Sequence, residues 1–381
     1  MREIYLDNAA TTFTDPSVLK AMLPYFSEIY ANADSLHEAG IKAKRAIDKA
    51  RKTIADILNC KPEEIIFASG GTEANNLAIF GTINALKSKN KTVITSKIEH
   101  SSILRPCEKL QKDGVNVIYL DVNKNGTVKL ADLEKALKKG ANLVSIIYAN
   151  NEIGVIQDIK EIGRLCRKYN VLFHTDACQA AEYLSLDTQD LNVDMMTING
   201  SKIYGPKGSS ILFVKNGIKL EPLIYGGGQE KDMRSGTLDT PLIVGMAEAL
   251  KLAERNKKAE NTRLIKLRDS IISTILQNIP GAILNGDPKN RLPNNINITF
   301  PKINGKELLL YLSEQGIYVS TGSACDSSMQ KPSHVLKAIG LKDDLAQCSI
   351  RISMGKNTSE KDLKDAAKII IDIIRKIKSN R

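Results

Sequence analysis

The 381-residue chain contains no tryptophan, and aromatic residues make up only 5% of it. Single strands of nucleic acid are bound largely by stacking bases on aromatic rings, so that mode has little to work with here. No apolar run approaches the roughly 18 residues that a membrane-spanning helix requires. The opening MREIYLDN lacks the apolar centre of a secretory signal. The expected compartment is therefore the cytoplasm, with no membrane association. The six cysteines (Cys60, Cys107, Cys166, Cys178, Cys325 and Cys348) include no CxxC pair, and the four histidines do not join them at zinc-finger spacing. Scattered cysteines in a cytosolic chain of this size are mostly free thiols. No lasting metal site is expected.

What remains is an ordinary globular composition, 42% hydrophobic and 25% charged, in a chain long enough for a large core and two domains. The net charge is +11, and the excess gathers in Arg255 to Arg268 and Lys361 to Arg381. Both stretches read as helices, where a basic run is usually a solvated face. Direct nucleic-acid binding is not expected, while an acidic protein partner would suit the charge.

From residue 64 to 214, strand-like and helix-like runs alternate. Apolar strands are predicted at 65–68, 92–95, 115–120, 143–148, 171–173, 195–198 and 210–214, with helices at 72–88, 101–113, 130–138 and 159–169. That alternation argues for βαβ units and an α/β fold with a mostly parallel sheet. Between Gly245 and Pro280 there is neither glycine nor proline, which fits one very long or kinked helix. Its polar middle, Arg255 to Arg263, suits a helix bridging two domains. The expected division is a large domain, 15–259, and a smaller α+β domain made of 1–14 and 260–381.

In an open α/β sheet, ligands bind beyond the carboxyl ends of the strands. Four polar signals fall at those ends. Ser69-Gly70-Gly71-Thr72 follows one strand and opens a helix, as a phosphate cradle does. Glu99-His100 follows the next, and Asn150-Asn151-Glu152-Ile153-Gly154 follows a third. The stretch VLFHTDACQA ends in Asp176 and Gln179, and the next strand delivers Asn199, Gly200, Ser201 and Lys202 into a Gly/Pro-rich turn. Each signal alone is weak: a lysine beside glycine and proline is usually a surface lysine, and a lone histidine is usually structural. Together they place a lysine and a carboxylate at one edge, the pair that pyridoxal phosphate chemistry uses for covalent attachment and for the pyridinium nitrogen.

Beyond that edge the sequence resembles the cysteine desulfurases of the NifS/IscS type, class V, fold-type I pyridoxal phosphate enzymes. The resemblance runs from YLDNAATT at Tyr5 to IRISMGKNTSEKDL at Ile350. It is carried most specifically by NNEIGVIQDI at Asn150, GGGQEKDMRSGT at Gly226, LPNNINITF at Leu292 and STGSACDSSMQKPSHVLKAIG at Ser320. It implies a PLP-dependent transferase fold of type I, with the cofactor on the large domain and the catalytic cysteine loop on the small one. It implies catalytic roles for Lys202, His100 and Cys325. Lys202 bonds the cofactor and moves the Cα proton, and His100 stacks on the ring. Asp176 pairs with the ring nitrogen, Gln179 hydrogen-bonds the ring hydroxyl, and Asn151 contacts the ring or the substrate carboxylate. Gly71, Thr72, Asn199 and Ser201 hold the phosphate, with Thr237 supplied by the other subunit of a homodimer. Arg351 clamps the substrate carboxylate, a task its planar fork suits better than a lysine does.

Cys325 stands among Gly322, Ser323, Ala324, Ser327 and Ser328, small residues that pack poorly and favour exposure. The resemblance makes it the nucleophile that takes sulfur from L-cysteine as a persulfide, leaving alanine, and a transient iron–sulfur ligand. The sulfur would pass to an iron–sulfur scaffold protein or a sulfur-relay protein for tRNA thiolation. Four departures from the family pattern stand out. Ser201 occupies the place of a usual histidine, Asn199 that of a usual serine, ANADSLH replaces GNPSSLH, and Phe13 replaces a proline. The competing readings are another class V enzyme, an aminotransferase or selenocysteine lyase in which Cys325 is incidental, and a cofactor-free assembly protein.

Overall fold

The computed structural model describes residues 3–88, 90–322 and 332–379. Cys325 therefore lies outside the described residues, as does its neighbour Asp326. The strands among the described residues are β1 (Ile4–Tyr5), β2 (Ile65–Ala68), β3 (Thr92–Ser96), β4 (Asn116–Leu120), β5 (Leu143–Ser145) and β6 (Leu172–Asp176). They continue with β7 (Met195–Asn199), β8 (Ser210–Val214), β9 (Ile283–Leu284), β10 (Asn295–Thr299), β11 (Ile317–Tyr318) and β12 (Ser349–Ser353).

Seven of them form one sheet in the order β2-β8-β7-β6-β5-β3-β4. The run from β7 to β4 is parallel, and β8, between β2 and β7, is antiparallel to both. Helices Ser101–Lys112, Leu130–Leu137 and Ile159–Lys168 make the crossovers between successive parallel strands. A parallel sheet is covered on both faces, so its strands read as near-continuous apolar runs. Adjacent residues duly enter different cores: Val93, Leu143 and Met195 join one buried cluster, and Ile94, Val144 and Met196 join the other. That second cluster continues into Ile296, Ile298, Ile350 and Ile352 of a smaller antiparallel sheet, β12-β10-β9.

The α/β expectation holds, with local differences. The strand expected over 143–148 ends at Ser145, although Ile146 and Tyr148 still donate to the His174 and Asp176 carbonyls. The chain there leaves β3 and keeps only its β6 side. The helix expected over 72–88 is helical over 71–85, interrupted by a wider turn at Leu77–Gly81 where the Thr82 hydroxyl bonds back to the Ala78 carbonyl at 2.6 Å. The long glycine-free stretch is one helix, Thr240–Asn278, capped by Asp239, whose carboxylate accepts from Leu242 N–H. It passes through residue 259 without a break. At the other end of the chain, β1 pairs in parallel with β11, and Asp7 bridges to Ser353. The N-terminal residues therefore sit beside elements more than three hundred positions away.

Candidate active site

The parallel strands β3, β5, β6 and β7 end at one edge, and the segments that follow them surround a cavity of about 170 Å³. Its walls include Gly71, Thr72, His100, Asn151, Asp176, Gln179, Asn199, Lys202 and Arg351. Larger hollows exist, one of about 530 Å³ beside Glu3–Phe13 and one of about 500 Å³ between the helices Thr240–Asn278 and Glu360–Ser379. Neither joins a lysine to a buried carboxylate at the ends of parallel strands, so neither has the makings of this chemistry.

Asp176, the last residue of β6, is buried. One carboxylate oxygen accepts from Asn75 Nδ2 at 2.7 Å and the other from the Cys178 N–H at 3.0 Å. Asn75 also donates to the Ser102 hydroxyl at 2.8 Å, and that hydroxyl lies 2.8 Å from His100 Nδ1. His100 caps the helix Ser101–Lys112, accepting from Ser102 N–H. Asn199 ends β7 and accepts from both the N–H and the hydroxyl of Ser201 at 3.2 Å. Lys202 Nζ donates to the Ala9 carbonyl at 3.0 Å and to that of Ala10. Gln179 Nε2 donates to the same Ala9 carbonyl at 2.9 Å. The asparagine turn after β5 is held by Asn150, whose side chain accepts from the N–H groups of Glu152 and Ile153. Gly154 closes that turn at φ +73°, where a Cβ would also strike Asn295 at 2.9 Å.

Arg351 comes from β12 of the small sheet and is the largest fully buried side chain described. Its guanidinium donates to Asp7 Oδ1 at 2.7 Å and to the Asn151 carbonyl at 3.1 Å. Two buried polar atoms of cavity-lining residues, Arg351 Nε and Asn75 Oδ1, have no hydrogen-bond partner among the described residues. Such groups are normally satisfied. Gly71 adds a steric sign, since a Cβ there would lie 3.0 Å from Cys178 Sγ and 3.4 Å from Asn199 Nδ2. A polar, anionic ring ligand fits this wall: a buried acid for a ring nitrogen, an amide for a hydroxyl, a lysine for covalent attachment, and a helix opening beside Thr72 for a phosphate.

A family model described as aminotransferase class-V matches residues 4–365. The cysteine desulfurase IscS of Clostridium botulinum (strain Kyoto / Type A2) is 44% identical over 376 residues, covering 98% of this chain and 95% of its own. The chain belongs to the class-V aminotransferase family, among its cysteine desulfurases. Among solved structures, a NifS-like protein superimposes with a TM-score of 0.92 at 36% identity, covering 98% of this chain and 100% of its own. A second, described as SspA in complex with cysteine, gives a TM-score of 0.81 at 36% identity over 93% of this chain and 99% of that one.

Within this class-V chain, two of the expected site residues among those described stand apart from the cavity wall. Ser201 lies beside it, turned to Asn199. Thr237 is exposed in the single chain. Its segment is nevertheless anchored: Arg234 donates to Glu73 at 2.9 Å, and the Arg51–Glu230 pair closes at 2.5 Å. Between those two anchors Glu230, Lys231 and Asp232 sit at positive φ, a conformation uncommon for non-glycine residues. Cys325 lies outside the described residues.

The structure also recruits residues to which the sequence reading gave no role. Asn75 and Ser102 were visible in their motifs, but nothing in the spacing announced their link to Asp176. His174 is fully buried, with Nδ1 at 2.9 Å from the Ser145 hydroxyl and Nε2 at 3.0 Å from that of Thr197. Burial lowers its pKa to about 4 despite the nearby Asp176, so it is a neutral cross-strand link behind the acid. Glu99, also fully buried, is pushed up to about 8 by burial. The Ser96 hydroxyl and a backbone N–H oppose that shift, and Asp176 adds to it. Burial likewise raises the Cys178 thiol well above its ordinary value, which makes it a packing residue and a poor nucleophile.

Proposed function

We propose that this chain is a pyridoxal phosphate-dependent cysteine desulfurase that converts L-cysteine to L-alanine and takes the sulfur onto Cys325. The observation that carries the reading is the single cavity joining Lys202, buried Asp176 and buried Arg351, in a chain 44% identical to a curated cysteine desulfurase along nearly its whole length. Pyridoxal phosphate, when bound, supplies an electron sink that acidifies the substrate Cα and loosens the carbon–sulfur bond.

The chain's own residues do the rest. Asp176 holds a proton on the ring nitrogen, fixed in place by Asn75 and the Cys178 N–H. Gln179, Thr72, Asn199 and Ser201 orient the group, and His100 covers it. Lys202 carries the proton to and from Cα. Arg351 binds the substrate carboxylate and so places the sulfur. The Cys325 thiolate attacks that sulfur, a sulfur–sulfur bond forms as the carbon–sulfur bond breaks, and the carbon takes a proton. Thiol and cysteine thus become persulfide and alanine, with no outside oxidant. The cysteine-bound neighbour supports cysteine as the substrate.

The proposal includes a homodimer. Exposed apolar side chains at Phe26, Tyr30 and Leu36, and at Leu223, Ile224 and Tyr225, support it, as does the anchored segment presenting Thr237 outward. It also includes a cytoplasmic location and delivery of sulfur to an iron–sulfur scaffold or relay protein. The five described cysteines, all free thiols, agree with a reducing compartment. Among the described residues no helix is long and apolar enough to cross a membrane.

The test uses the purified protein with pyridoxal phosphate, L-cysteine and a thiol reductant, following alanine and sulfide together. The wild type is expected to form both in equal amounts, and Cys325→Ala to form neither beyond background. Wild-type turnover by Cys325→Ala would overturn the assignment of the nucleophile, and transamination without sulfide would favour an aminotransferase.

A further inference from the structure

We infer that Asp7 is a positioning residue for the substrate carboxylate, acting through Arg351. The inference rests on the desulfurase reading above and adds a residue to it. Arg351 is 1% exposed, and a guanidinium at that depth needs a counter-charge. Asp7 provides it: its Oδ1 accepts from one terminal nitrogen at 2.7 Å, while the Asn151 carbonyl accepts from the other at 3.1 Å. The two acceptors pin both ends of the planar group. Nε, which also belongs to the cavity-lining side chain, is left as a buried donor with no partner among the described residues.

Asp7 is itself held. Its backbone bridges to Ser353, two residues beyond Arg351, and its carbonyl accepts from the Ala10 N–H at 3.0 Å and from the Tyr5 hydroxyl at 3.1 Å. The same short segment offers the Ala9 and Ala10 carbonyls to Lys202 and Gln179. Asp7 through Ala10 thus ties the substrate arginine to the two cofactor-side residues. Two effects of the Asp7 charge oppose each other. It repels an incoming carboxylate, and it fixes the guanidinium that receives that carboxylate. Fixing prevails: without Asp7 the Asn151 carbonyl is the one acceptor left to the buried guanidinium among the described residues, so its orientation is less tightly set.

The experiment compares full-length, cofactor-loaded wild type with Asp7→Ala and Asp7→Asn. Steady-state KM and kcat for L-cysteine are measured, along with equilibrium binding of L-alanine and of 2-aminoethanethiol, which has the amine and sulfur but no carboxylate. In Asp7→Ala, KM is expected to rise about tenfold, the usual scale for losing a charged hydrogen bond, with kcat changing far less. L-Alanine binding should weaken in parallel while 2-aminoethanethiol binding holds. Asp7→Asn, which keeps an oxygen acceptor without the charge, should recover part of the loss and serves alone if the alanine variant does not fold. An unchanged or lower KM, or equal weakening of both ligands, would overturn the inference. If the wild type forms no alanine from cysteine, the desulfurase reading fails instead, and the paired ligand binding still decides the role of Asp7.

Discussion

Replacing Glu99 by glutamine should flatten the pH dependence of stability, and the structure sets the size of the effect. Glu99 is fully buried one residue before His100, and burial pushes its pKa up to about 8, with Asp176 adding to the shift. In the unfolded chain the same carboxyl titrates near its ordinary value of 4.5. Below that value both states hold the proton, and Glu99 contributes no pH dependence. As pH rises, the unfolded chain releases a proton that the folded chain keeps, so stability falls by about 1.4 kcal/mol per pH unit until pH passes the folded value. Between about pH 6 and pH 8 the loss integrates to about 2 kcal/mol, allowing for partial ionisation of the folded form at the upper end. Glutamine keeps the shape and an acceptor for the Ser96 hydroxyl but does not titrate. Glu182 is also buried and raised to about 8, but it is common to both proteins and cancels in the comparison. The assay is urea unfolding of wild type and Glu99→Gln at matched protein concentration and cofactor state across that range. The variant should gain about 2 kcal/mol on the wild type from the low to the high end. Parallel curves would show that Glu99 is already ionised in the folded protein, and the reasoning from burial would be wrong.

Asn75→Ala should weaken pyridoxal phosphate binding and destabilise the fold by about 1–2 kcal/mol, since Asp176 loses its shortest hydrogen bond while the unpartnered Asn75 Oδ1 is removed at the same stroke. Asn75→Asp should bind the cofactor more weakly still, because two carboxylates would face each other there; cofactor titration followed by absorbance ranks the three proteins, and tighter binding by the aspartate variant would refute the role given to Asn75. Lys202→Ala should lose the visible band that borohydride bleaches and form no alanine from cysteine, and near-wild-type turnover would show that another residue moves the Cα proton.

The parts of the molecule legible in the sequence are those set by short-range pattern. Runs such as Ile65–Ala68 and Ser210–Val214 are strands at the predicted residues because a strand covered on both faces must be apolar throughout. Asp176, Asn151, Asn199 and Lys202 meet because each follows a parallel strand, and parallel strands end at one edge. What stayed hidden depended on contact between segments far apart in sequence. Leu143–Tyr148 reads as one apolar run, yet only Leu143–Ser145 is paired on both sides, and where a neighbouring strand stops is a property of that neighbour. Asn75 shows nothing in its own motif, since its partner Asp176 is a hundred residues away. His174 stands in an apolar run as an apparent exception, and only the hydroxyls of Ser145 and Thr197 on the flanking strands account for it.

The two sides of the cavity differ in how far the chain must travel to build them. The side assigned above to the cofactor is made by strand ends, so forming the sheet brings Gly71, His100, Asp176 and Lys202 together as a matter of course. The side proposed for the substrate needs Asp7 to find Arg351, a separation of 344 residues, through the β1–β11 pairing and the Asp7–Ser353 bridge. Contacts of that separation repay their loop-closure entropy only after the intervening elements are in place. Arg351 therefore gains its carboxylate partner only when the N-terminal segment has docked, and that same docking brings the Ala9 and Ala10 carbonyls to Lys202. On the proposed function, an arginine placed under the control of so long-range a contact means that cysteine meets an ordered site only in the finished fold.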